Sequence, residues 1–138
     1  MRDLDAVFNK VTSADGDAVL HVPASLLSEL QRRLELQNYF VTVVDRAPVF
    51  DKTTLLHALY QSCEMPAYFG FNWDALQDSL NDFSWKSASG YVLVFKNFEL
   101  LQTRAPEDAK VFLEIVRDVS AGRLEDHAPP LKLLILQQ

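Results

Sequence analysis

The apolar positions of the chain fall into alternating blocks of two kinds. Leu4, Val7, Phe8 and Val11 recur at i, i+3, i+4 and i+7, the spacing of one helix face. TSADGD, 12–17, carries turn residues, and AVLHV, 18–22, reads as a strand. Pro23 suits the first turn of a helix, where its missing N–H has no partner to lose, and Leu26, Leu27, Leu30 and Leu34 give that helix one apolar stripe. YFVTVV, 39–44, is β-branched and aromatic, hence a strand. Asp51 is a good N-cap for a helix carrying Leu55, Leu56 and Leu59. A loop and short helix follow at 65–82, and Gly90 precedes the strand YVLVF, 91–95. Pro106 opens a helix with Val111, Phe112, Ile115, Val116 and Val119 on its buried side, and Gly122 is expected to close it. LKLLIL, 131–136, entered through Pro129 and Pro130, is the last strand.

The strands are short, continuous apolar runs separated by helices, as parallel strands covered on both faces are. The expected fold class is α/β, a small, mostly parallel sheet with right-handed crossovers. No repeat, low-complexity tract or linker divides the 138 residues, so a single domain over 1–138 is expected. An apolar share of 49% and a mean hydropathy of −0.03 describe a globular chain with a real core, not a disordered one. The net charge of −6 and pI near 4.9 argue against non-specific nucleic-acid binding, which needs a basic surface, and are compatible with a basic partner. Cys63 is the only cysteine, so no internal disulfide forms. The opening MRDLDAVFNK is not a signal peptide, and no run approaches the roughly 18 apolar residues of a membrane span. A reducing compartment, most simply the cytoplasm, is expected.

MPAYFGFNWDALQDSLND, 65–82, sets aromatics and a glycine before a helix. At 100° per residue from Phe71, Leu76, Leu80 and Trp73 fall between about 140° and 200°, a core-facing stripe. Asp74 and Asp78 fall opposite, near about 300° and 340°, with Asn81 and Asp82 just beyond and Ala75 beside them. Like charges at i, i+4 oppose the helix, and aspartate is a poor helix former in an interior turn. Asn72 as N-cap explains Asp74, which then lies in the first turn where the helix dipole favours an anion, but not Asp78 or Asp82. From the helix alone, a solvated face, a binding surface and a metal site all remain open.

Pro66, Tyr68, Phe69, Gly70, Asn72, Asp74, Ala75, Leu76, Asp78 and Leu80 match in register the signature of another group. The segment resembles the barstar family, the intracellular inhibitors of barnase-type ribonucleases. The resemblance runs over about 39–136, making 39–138 a barstar-like core and 1–38 a helix/strand/helix extension that adds one strand to a sheet edge. It implies a three-stranded parallel sheet flanked by helices, whose loop and acidic helix plug a nuclease active site. Asp78 then matches the aspartate that enters the phosphate pocket, Asp74 the one beside it that meets basic residues, and Tyr68 the loop aromatic that packs on a catalytic histidine. The partner-binding set is Tyr68, Phe69, Gly70, Phe71, Asn72, Asp74, Ala75, Gln77, Asp78 and Asp82. The expected partner is a basic ribonuclease or related toxin nuclease, with no direct nucleic acid, membrane, metal or cofactor. Physical chemistry points the same way. An RNA-cleaving site is cationic, and carboxylates on a rigid helix accept charge-assisted hydrogen bonds from Arg and Lys as phosphates do. Tyr68, Phe69 and Phe71 supply aromatic anchors.

The pattern departs from the family at Gln77, where a tryptophan is frequent, and at Ser79, where a cysteine is. Lys110 stands where the family has a glutamate near the start of a later helix, with Glu107 and Asp108 just before it. These departures bear on which nuclease is bound. A metal-dependent enzyme using Asp74 and Asp78, with His57, is the rival from another class, but no HxxxH, CxxC or acidic-loop spacing supplies further ligands. His21, His57 and His127 are scattered, Cys63 stands near no evident base, and the four glycines are unclustered. An adaptor that binds another basic protein, including a toxin nuclease in an immunity pair, is the third reading.

Overall fold

The computed structural model describes residues 2–45 and 47–138; Met1, at the head of the expected extension, lies outside them. Four apolar runs pair as strands: β1 (Val19–Pro23), β2 (Tyr39–Val44), β3 (Gly90–Phe95) and β4 (Leu131–Gln137). They form one all-parallel sheet in the order β1-β4-β3-β2. The two central strands, β3 and β4, are buried along nearly their whole length, while the edge strands β1 and β2 are only partly so. That is why the central pair is apolar without alternation.

Alternate residues of each strand face opposite sides of the sheet, and each side carries its own core. Val92, Val94, Leu134 and Leu136 point to one side. There they meet Leu4 and Val11 of α1 (Arg2–Thr12) and Leu30 and Leu34 of α2 (Leu27–Leu36). Leu93, Phe95, Leu133 and Ile135 point to the other. That side is covered by α3 (Lys52–Ser62), α4 (Trp73–Asp82), α5 (Phe98–Arg104) and α6 (Pro106–Glu125). The extension thus supplies a whole helical layer as well as the edge strand β1, which pairs with β4 from Val19↔Leu133 to Pro23↔Gln137.

One charged residue ties the extension in place. Lys132, inside the apolar run of β4, is 1% exposed. Its ammonium donates to the carbonyls of Asp15 (2.9 Å) and Asp17 (3.1 Å), in the turn before β1. Burial lowers its pKa, and the charges of Asp15 and Asp17 oppose that shift. A buried charge needs such partners, since an unpaired ammonium in the core costs several kcal/mol or more, to order of magnitude.

Three local expectations are corrected. Pro23 does not begin a helix: it is the last residue of β1, with ψ 133°, and a short 3-10 turn, Ala24–Leu26, precedes α2. An edge strand has a side with no ladder to satisfy, so a residue without an N–H is tolerated there. Gly122 does not close its helix either, for α6 runs on to Glu125. His127, at φ 56°, takes the left-handed position, with its N–H on Leu124 O (3.2 Å) and Ala128 N–H on Arg123 O (2.8 Å), a Schellman pair. Finally, α5 was not expected: its seven residues are too few to show a period, and burial of Phe98 and Leu101 holds it.

Candidate functional site

The acidic helix is prepared by the chain before it. Asp51 caps α3: its carboxylate accepts from Thr54 N–H (2.9 Å) while the Thr54 hydroxyl accepts from Asp51 N–H (3.1 Å), a capping box. The Lys52 N–H at the same helix start donates to Asp108 of α6 (2.9 Å), which joins the two helices. After α3 the chain turns at Glu64, φ 54°, and enters the aromatic loop.

That loop sorts its aromatics. Phe69 is 6% exposed and Tyr68 is 82% exposed. Phe71, half-buried, packs among His57 (ring centroids 4.5 Å apart), Phe69 (4.9 Å) and Tyr60 (5.0 Å). Of the three aromatics expected to meet a partner, Tyr68 is free, Phe71 is half-covered, and Phe69 is built into the core beneath the loop. Phe71 also holds φ +51°, a conformation costly for a bulky residue, and the surrounding rings hold it there. Gly70 is in a tight place. A Cβ there would lie 3.1 Å from Asn72 Nδ2 and 3.3 Å from Ala75 Cβ, tighter than ordinary contact.

Asn72 closes the loop onto α4. Its Oδ1 accepts from Ala75 N–H (2.8 Å) as N-cap, and its Nδ2 donates to Gly70 O (3.1 Å). Asn72→Ala is expected to cost about 1 kcal/mol of stability, and Asn72→Asp much less, since aspartate also caps. Thermal melting of the two variants checks this, and equal losses would show that the cap contributes nothing.

Leu76 and Leu80 are fully buried under α4 and Trp73 is half-buried, with the Lys52 ammonium 5.3 Å from its ring centroid. Asp74, Asp78 and Asp82 are exposed, and Ala75 and Gln77 half-buried. Among the described residues, Asp74 and Asp78 make no ion pair and no side-chain hydrogen bond. Asp82 accepts from the Ser84 hydroxyl (2.9 Å). The helix ends at Phe83, which is fully buried at φ 47° and stacked on Tyr91 (4.3 Å) and Trp85 (5.0 Å).

The other candidate chemistry finds no such assembly. Among the described residues no group of three or more His, Cys, Asp or Glu is placed to hold a metal ion. The His57 ring lies on Phe71 with Nδ1 2.9 Å from Thr53 O. Cys63 is fully buried, and burial, with the Glu64 charge adding to it, pushes its thiol up to about 12, far from a reactive thiolate. Surface concavities of about 350 and 550 Å³ lie at the C-terminal ends of the strands, and neither includes a residue of the loop or of α4. No described helix is long and apolar enough to cross a membrane. Two residues that touch α4 were not singled out in the sequence: Lys52, over the Trp73 ring, and Arg123, which donates to the Leu80 and Asn81 carbonyls. Each reads there as an ordinary helix-terminal cation, and nothing in the local pattern marks it.

Residues 39–135 match the model of the Barstar (barnase inhibitor) family, and the chain belongs to that family. No curated protein matched the sequence. The family is one of inhibitors rather than catalysts, and its members bind barnase-type ribonucleases as protein partners. Residues 1–38, with α1, β1 and α2, lie outside the match.

Proposed function

We propose that this protein inhibits a barnase-type ribonuclease or a related basic toxin nuclease by seating the loop and α4 in the nuclease active site, without chemistry of its own. The observation that supports the reading is the pair of exposed carboxylates, Asp74 and Asp78, on one face of a capped helix, with no ion pair to either among the described residues. An RNA-cleaving cleft gathers Arg, Lys and His to hold phosphates, and fixed carboxylates take the same charge-assisted bonds. Tyr68 projects as the aromatic anchor, with Phe71 beside it and Phe69 supporting the loop from beneath. Gly70, Asn72, Ala75, Gln77 and Asp82 form the surrounding contact. In this reading the whole chain acts as one domain in the reducing cytoplasm, as an immunity protein to such a nuclease.

Titration of the purified protein against a panel of barnase-type nucleases, at low and at high salt, tests the proposal. Stoichiometric inhibition is expected, with association slowed at high salt because the net charge of −6 attracts a basic partner over a screened distance. Binding without inhibition would replace the reading by that of an adaptor. Nuclease-independent activity abolished by a chelator would replace it by the metal enzyme.

A further inference from the structure

Behind the acidic helix lies a charge that, among the described residues, makes no ion pair with a carboxylate. Arg123, near the end of α6, is 4% exposed. Its Nη1 donates to Asn81 O (2.7 Å) and Leu80 O (3.2 Å), and its Nε to Pro129 O (2.6 Å). The guanidinium carbon lies 4.9 Å from the centroid of the Tyr91 ring. Leu80 and Asn81 belong to the last turn of α4, whose carbonyls have no partner within the helix and gather its negative dipole end. The Phe83 N–H satisfies only Ser79 O (2.9 Å). One side chain therefore joins the end of α4, the end of α6 and the entry to β4. Burial disfavours the charged form of Arg123, while Tyr91 and the nearby Asp82 charge favour it.

We propose that Arg123 is a positioning residue for the acidic helix: through the Leu80 and Asn81 carbonyls it fixes the tilt of α4, and so the place of Asp78 in the partner's cleft. This rests on the inhibitory reading above. A guanidinium holds several acceptors in a fixed plane, whereas an ammonium is a point donor on a flexible stem. Arg123→Lys thus keeps the charge and loses the geometry.

The test uses the full-length protein and an inhibited nuclease. Arg123→Lys is expected to weaken inhibition about tenfold, through faster dissociation with the association rate kept, because net charge is unchanged. Combined with Asp78→Ala it should add much less than it costs alone, since its effect runs through Asp78. In the free variant the backbone amides of Leu80–Phe83 should exchange with solvent faster than in the wild-type protein, while those of β3 keep their rates. A merely structural role would lower the melting temperature and leave the coupling with Asp78 at zero. Additive losses, unchanged inhibition by both Arg123→Lys and Arg123→Met, or failure of the lysine variant to fold would each overturn the proposal. If the wild-type protein inhibits no nuclease, the functional reading falls by itself. The exchange measurement then still decides whether Arg123 holds the end of α4, with unchanged rates at Leu80–Phe83 counting against it.

Discussion

Asp78→Ala is expected to weaken inhibition of the cognate nuclease by about 30-fold to several-thousand-fold while the protein itself becomes slightly more stable. The first half follows from the proposed interface. Truncating one partner of a desolvated, hydrogen-bonded charge pair costs about 2–5 kcal/mol, mostly because the other charge is left buried and unpaired. The barnase–barstar complex is itself one of the cases behind that range. The second half follows from the free protein. Asp78 is exposed, makes no ion pair among the described residues, and sits four residues from both Asp74 and Asp82 on the same helix. Alanine is the better helix former and removes two like-charge neighbours, worth roughly 0.5–1 kcal/mol in all. Opposite signs for binding and stability distinguish a contact residue from a scaffold residue, and function held at a cost in stability is common at binding sites. Inhibition titrations and thermal melts of one preparation measure both. Unchanged inhibition would remove Asp78 from the interface, and a large loss of stability would make it a structural residue.

Phe83→Ala should produce the largest loss of stability, about 3–5 kcal/mol by urea unfolding, out of the roughly 5–15 kcal/mol that holds a domain of this kind together. Phe83 is fully buried and stacked on Tyr91 and Trp85, with the Phe40 ring set edge-on, its centroid 6.1 Å away. It also holds φ 47°, which costs an L-residue about 1–2 kcal/mol. Two effects therefore oppose one another at this position, and the burial term is the larger. Alanine keeps the strained backbone and loses the stack, so it carries the full penalty. Glycine loses the same stack but relaxes the left-handed turn, and Phe83→Gly should be less damaging than Phe83→Ala by up to about 1 kcal/mol. The reverse order would mean that the turn is not strained. A loss below about 1 kcal/mol for alanine would mean that the aromatic stack does not anchor the end of α4.

Several features were legible because they are local. The alternation of strand and helix, the capping by Asp51 and Asn72, and the separation of Leu76 and Leu80 from Asp74 and Asp78 each depend on residues within a few positions. Fixed backbone geometry governs them: 100° per residue along a helix, side-chain oxygens reaching the third amide on, branched residues extended. The family, too, could be read from one segment, since its spacing is tied to that local geometry.

What tertiary structure decided has no such period. Tyr68 and Phe69 are adjacent aromatics in an irregular loop, and only the rings of Tyr60 and Phe71 pack one of them inward while the other faces solvent. The end of α6 at Glu125 rather than Gly122 is closed by His127 in the left-handed position, which no glycine or asparagine marks, and the seven-residue α5 is held by burial of Phe98 and Leu101. Lys132 bonds carbonyls 115 and 117 residues away, and Arg123 carbonyls 42 and 43 away. The sequence alone thus determined which elements form and which face of the acidic helix stays polar, because short-range backbone geometry sets both. How the helix is held, and which aromatic is left outside, required the packed molecule, because buried charges and rings are satisfied by groups that only folding brings together.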